Sequence, residues 1–109
     1  MVLVLTALIA AAIAVGTLLP SDAEPGFSGR DKLAHLGAFA LLVLPAAVGA
    51  PRLLPVIAAW AILFGGAIEL VQPWVGRSRE GMDWLADAGG VGVAVMAGGV
   101  IRHLRGTGR

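Results

Sequence analysis

Cysteine is absent from the chain, and charge is scarce: Asp, Glu, Lys and Arg make up 14% of its 109 residues. The first absence excludes a disulfide framework, a thiolate metal site and a cysteine nucleophile. The second is at odds with an ordinary water-facing domain, in which roughly 25% of residues are charged. The net charge is only +1 and no basic stripe with interleaved aromatics occurs, so nothing points to a nucleic-acid partner. Internal repeats and low-complexity tracts are also missing. What is present is apolar: 58% of the residues are hydrophobic and the mean hydropathy is +0.87. Glycine is frequent, at 16 residues, and in membrane helices small residues let backbones approach closely. The composition predicts a chain whose main partner is the lipid bilayer.

Four apolar segments stand out: Val2 to Leu19, Leu33 to Ala50, Leu53 to Val71 and Trp84 to Ile101. Each is close to the length needed to cross hydrocarbon as a helix, about 17–25 residues. Lipid offers a backbone no hydrogen-bonding partner, which favours helix throughout. The expectation is an all-α fold, a four-helix transmembrane bundle forming a single domain over residues 1–109. The first segment is followed by small residues, "SDA" at 21–23, which would suit cleavage of a signal peptide. No Lys or Arg precedes it, however, and it is longer than the usual apolar core of about 7–15 residues, so it reads as a retained helix. The linkers are "PSDAEPGFSGRDK" at 20–32, the tight "GAPR" at 49–52, and residues 73–83.

Four spans would put both termini and Arg52 on one side. The Lys and Arg residues then divide evenly, with Arg52, Arg102, Arg105 and Arg109 facing Arg30, Lys32, Arg77 and Arg79. The tail "RHLRGTGR" is basic without acid, whereas the other side mixes its cations with Asp22, Glu24, Asp31, Glu80 and Asp83. This favours cytoplasmic termini in a multi-pass protein of the cell membrane.

Polar residues interrupt the apolar runs at helical spacings. Asp31 and His35 are four apart, Glu69 and Gln72 three apart, and Asp83 and Asp87 four apart, so each pair shares a helix face. In an up-down bundle the start of the second helix, the end of the third and the start of the fourth lie at one level. The six residues are therefore expected to converge about one turn below one surface. Lys32, Arg77 and Arg79 adjoin them and roughly balance the charge. Carboxylates facing one another there can be paired and hydrogen-bonded, whereas an isolated one in lipid is costly.

"DKLAH" at 31–35, "IELVQ" at 68–72 and "GRSREGMDWLADAGG" at 76–90 resemble the VanZ-like membrane protein family. Its members combine Asp-Lys-x-x-His at the opening of a helix with Glu-x-x-Gln at the end of the next. A Gly-Arg then follows, with Asp, Asn and Gly after it. The resemblance spans about Gly29 to Gly98. One position departs: Asp87 stands where the family commonly has Asn. The family takes its name from a glycopeptide-resistance protein that lowers sensitivity to teicoplanin, so the resemblance implies a cell-envelope and antibiotic-resistance context rather than a defined reaction.

Three readings of the cluster stay open. It can be a polar network that fixes helix register, a ligand or catalytic site, or a metal site, although the spacing fits no HExxH-type motif. The ligand-binding candidates are Asp31, Lys32, His35, Glu69, Gln72, Arg77, Asp83 and Asp87. His35, Glu69, Asp83 and Asp87 are the candidates for catalysis, and no metal ligand set or cofactor is expected. The function expected is binding or processing of an amphipathic envelope molecule: a lipid, a polyprenyl-phosphate intermediate or a glycopeptide antibiotic. The alternative is a non-catalytic membrane scaffold or accessory subunit whose polar cluster only locks packing. Arg77 and Arg79 can anchor at headgroups or grip a phosphate. Trp74 and Trp84 fit an interfacial belt and Trp60 fits mid-helix packing, while Gly65, Gly66, Gly89, Gly90, Gly92, Gly98 and Gly99 are expected at helix contacts.

Overall fold

A computed structural model of the chain describes residues 1–18, 29–75 and 81–107, with the side chains of 29–32, 73, 75, 81–83 and 107 outside that description. The described residues form four α-helices: α1 (Val2–Leu18), α2 (Gly29–Gly49), α3 (Leu54–Val71) and α4 (Gly81–Thr107). A short 3-10 turn, Gln72–Val75, extends α3. The fold is all-α, as expected. Two of the helices are long and apolar enough to cross a membrane, α3 with a mean hydropathy of 2.0 and α4 over Trp84–Gly106 with 1.5. The other two apolar stretches, Val2–Leu18 and Leu33–Gly49, are shorter.

Two helices run past their apolar segments. Helix α2 starts at Gly29, four residues before the apolar segment, so Asp31 and Lys32 belong to its first turn, in line with the helical spacing of Asp31 and His35. Helix α4 continues to Thr107, six residues past the apolar segment, so most of the basic tail is helical. Nothing in "RHLR" stops a helix, and Arg105 in the last turn complements the negative end of the helix dipole.

The connection between α2 and α3 is the tight one expected from "GAPR". Leu53 donates to the Ala50 carbonyl at 2.9 Å and Leu54 to that of Pro51 at 3.2 Å. Pro55 falls in the first turn of α3, where a missing N–H leaves no helical bond unmade. Pro51 has a longer-range effect. Its nitrogen is the group that would satisfy the Ala47 carbonyl at the end of α2, and it carries no hydrogen. Arg102 of α4 supplies the donor instead, through Nε at 2.8 Å.

Helix α2 lies at the centre and touches the other three, most extensively α4. These two run parallel, and glycine brings them together. A Cβ at Gly90 would overlap the Leu36 carbonyl oxygen, and one at Gly98 would overlap the Ala47 Cβ. Ala94 sits between them on the same face, fully buried. Small residues four apart on α4 thus face Leu36, Ala40 and Ala47 of α2, the close backbone approach typical of helices packed in lipid. Gly92 and Gly99, expected at contacts, are not: a side chain there would meet open space. They lie about a quarter-turn or more off the buried stripe, and glycine frequency alone does not reveal phase.

Helices α1 and α3 run antiparallel to α2 and α4. Gly49 lies against Val2, and Gly65 and Gly66 lie against Asp87 and Trp84. The end of α1, the start of α2, the end of α3 and the start of α4 therefore meet at one end of the bundle. Phe39, Leu42, Val43, Ala61, Ile68, Val91 and Ala94 form the dry centre.

Candidate polar site inside the bundle

Each helix turns one stripe inward. On α2 it comprises His35, Phe39, Leu42, Val43, Ala46 and Ala47, and on α3 it comprises Ile57, Ala61, Gly65, Ile68, Glu69 and Gln72. The spacings of three and four residues are those of a single helix face. The polar members of these stripes are buried: His35 is 9% exposed, Glu69 6%, Gln72 2% and Asp87 of α4 1%. The opposite faces carry Leu3, Leu8, Val15, Leu41, Val56, Leu63, Leu70, Leu85, Met96 and Val100, all exposed. Polar side chains thus sit within an otherwise apolar interior while large apolar side chains cover the outside.

His35 and Asp87 are joined directly, with Nδ1 and Oδ1 2.7 Å apart. With Asp87 ionised, the imidazole donates from Nδ1, which fixes its tautomer and the plane of its ring. A histidine held this way can give or take a proton through Nε2. Space for the Asp87 carboxylate is made by Gly65: a Cβ there would stand 2.8 Å from Asp87 Oδ2 and 3.3 Å from both Asp87 Cβ and Phe39 Cε2. The pair is therefore clamped, with the imidazole on one side and bare helix backbone on the other.

Glu69 lies one turn beyond Gly65 on the same stripe. Gln72 lies nearer the end of α3 and reaches α1, where its Nε2 donates to the Thr17 carbonyl at 3.3 Å. Its Oε1 is buried and has no hydrogen-bond partner among the described residues. The Thr17 hydroxyl turns back on its own helix and donates to the Ile13 carbonyl at 2.7 Å. An open cleft of about 310 Å³ between α1 and α2 reaches His35 and Thr17.

Of the residues expected to converge, His35 and Asp87 are bonded, and Glu69 and Gln72 are buried on the facing stripe at the same end of the bundle. The side chains of Asp31, Lys32 and Asp83, and Arg77 and Arg79 as a whole, lie outside the described residues. Among the described residues the bonded partner of Asp87 is His35; Arg77 and the Lys32 side chain, which adjoin the cluster in sequence, lie outside them. No group of three or more His, Asp or Glu suited to a metal ion occurs among the described residues.

Two of the three tryptophans depart from expectation. Trp84 is not simply interfacial: its Nε1 donates to the Ile62 carbonyl at 2.8 Å and its ring covers Gly66, tying α4 to α3. Trp60 faces outward, stacked on Phe64 with ring centroids 5.0 Å apart, rather than packing in the core. Trp74 is exposed, as an interfacial residue would be. The sequence reading placed Gly65 at a helix contact but not beside the carboxylate, and it did not include Thr17. The signal for Gly65 was available, since it lies four residues before Glu69 and so on the same face. Thr17 contributes a backbone oxygen, for which no side-chain motif exists. Comparison of the chain with protein families, with curated proteins and with solved structures finds no match.

Proposed function

We propose that the chain is a VanZ-like multi-pass membrane protein, a single four-span domain that binds or processes an amphipathic molecule of the cell envelope. The observation that carries this reading is the placement of side chains: a bonded His35–Asp87 pair with Glu69 and Gln72 inside, and exposed leucine, valine and methionine over the outer faces. In water such a surface would aggregate; in lipid it is the stable arrangement. Helices α3 and α4 have spanning length, and the apolar parts of α1 and α2 are 17 residues each, at the short end of the spanning range of about 17–25 residues. Their antiparallel packing beside the longer helices supports four spans at one depth. Arg52, Arg102 and Arg105 sit at the end away from the polar cluster, which supports a cytoplasmic position for that end and for both termini.

The site then opens toward the outer leaflet. His35, oriented by Asp87, would exchange a proton or a hydrogen bond with the ligand head, and Arg77 is the candidate to hold an anionic group. The molecules considered are a lipid, a polyprenyl phosphate and a glycopeptide antibiotic. The competing reading, a scaffold whose cluster only locks packing, draws on the same bonds between helices. A susceptibility assay separates the two. A bacterial host expressing the chain should show lower sensitivity to teicoplanin. His35→Ala and Glu69→Gln should abolish that shift at unchanged membrane abundance. If either variant loses abundance in proportion to its loss of resistance, or the parent chain produces no shift, the site reading fails.

A further inference from the structure

The cleft between α1 and α2 differs from the α2–α4 contact in what its small residues do. On α4, glycines close the gap between helices. Along the cleft, Ala12 and Gly16 of α1 face Ala34 and Ala38 of α2, and the gap stays open: a Cβ at Gly16 would meet nothing within 4 Å. The volume is about 310 Å³. Its composition is graded. The antiparallel pairing of α1 with α2 puts Thr17 and His35 near the end of the bundle, and Ile13, Ala38 and Phe39 deeper. Continuing along the same faces come Leu8 of α1 and Leu41 of α2, both exposed.

We infer that this cleft seats one hydrocarbon chain of a membrane amphiphile, with the polar head at His35 and Thr17. The inference rests on the proposed function and names the substrate class for it. Three observations point to this occupant. An apolar gap bordering lipid loses dispersion contacts on both walls if it stays empty, so a chain will fill it. The gradient from polar at the bundle end to apolar in depth matches the way an amphiphile stands in a leaflet. The volume is near the lower end of ligand pockets, roughly 300–1,000 Å³, which fits one chain and not a glycopeptide. His35 is nine-tenths buried and lines the cleft while Asp87 holds its ring, so the head meets an oriented imidazole and not a mobile one.

The test uses the full chain in phosphatidylcholine vesicles and a dodecyl phosphate carrying a diazirine on its chain, with unlabelled dodecyl phosphate as competitor. Competed, saturable labelling is expected on residues 12–16 and 34–39. Gly16→Phe, which fills the cleft, should reduce it about tenfold, equivalent to about 1.4 kcal/mol of affinity. Gly92→Phe is the matched control: its side chain also enters open space, but on another helix, and labelling should persist. His35→Ala should weaken competition by the phosphate. Uncompeted labelling spread evenly over the exposed faces would overturn the inference, as would full competed labelling in Gly16→Phe. Competed labelling in the cleft, with teicoplanin sensitivity untouched by His35→Ala, supports the chain seat while sinking the resistance reading. Resistance lost in His35→Ala without competed labelling does the reverse.

Discussion

Replacing Gly65 by alanine adds one methyl group at the tightest point of the polar site. The new Cβ would lie 2.8 Å from Asp87 Oδ2, several tenths of an ångström inside a normal contact. Asp87 cannot retreat freely, because its other oxygen is held 2.7 Å from His35 Nδ1. Phe39 Cε2, at 3.3 Å from the same point, blocks a sideways shift of α3. Overpacking of this kind costs about 1–3 kcal/mol. It is offset in part by the better helix propensity of alanine, about 0.8–1.0 kcal/mol in peptides. Gly92→Ala isolates the second term, since a Cβ there meets nothing. Reversible unfolding in mixed micelles should thus place Gly65→Ala about 1–3 kcal/mol below Gly92→Ala. Removing the carboxylate should relieve the clash. In an Asp87→Ala background the gap between the two alanine variants should shrink markedly, a coupling of about 0.5–3 kcal/mol. If Gly65→Ala is as stable as Gly92→Ala in the parent chain, Asp87 does not occupy the space that Gly65 leaves and the clamped geometry is wrong.

Further predictions follow from other contacts. Gly90→Ala and Gly98→Ala should each destabilise by about 1–3 kcal/mol in the same assay, because both side chains overlap α2, whereas Gly99→Ala should be neutral or stabilising. Asp87→Asn keeps a polar atom opposite His35 and should be tolerated; Asp87→Leu should cost about 1–3 kcal/mol by leaving the imidazole without that partner. Thermal stability of the two proteins side by side checks this, and equal losses would contradict it. Arg102→Ala removes the donor from the Ala47 carbonyl that Pro51 cannot serve, and a loss of about 1 kcal/mol in unfolding free energy is expected. No loss in a Pro51→Ala background, where the backbone N–H is restored, would verify the reason.

Much of this arrangement is readable from residue spacing. The helix count, the tight turn at Pro51 and the gathering of His35, Glu69, Gln72 and Asp87 at one end follow from apolar run lengths and from intervals of three and four. What spacing does not carry is rotation of one helix against its neighbour. The pairing of Asp87 with His35 depends on that rotation, and so does the difference between Gly90, which is packed, and Gly92, which is not. Trp84 looked interfacial because it sits near a helix start, but its long side chain reaches the Ile62 carbonyl in the middle of α3. The apolar runs understate the helices at the start of α2 and the end of α4, since charged residues such as Asp31 and Arg105 continue a helix beyond its apolar stretch. The α1–α2 cleft was not foreseen, because the same small residues that close one helix pair leave the other open.

The claim on which the rest depends is that all four helices cross the bilayer with the polar cluster at one end. The absence of cysteine makes this directly measurable, because any introduced cysteine is unique. Single-cysteine variants at Val2, Arg52, Trp74 and Arg105 should be treated with a membrane-impermeant maleimide in sealed right-side-out vesicles. The account predicts labelling of the Trp74 variant from outside, and labelling of the Val2, Arg52 and Arg105 variants only after the vesicles are opened. Labelling of the Val2 variant from the same side as that of Trp74 would contradict it.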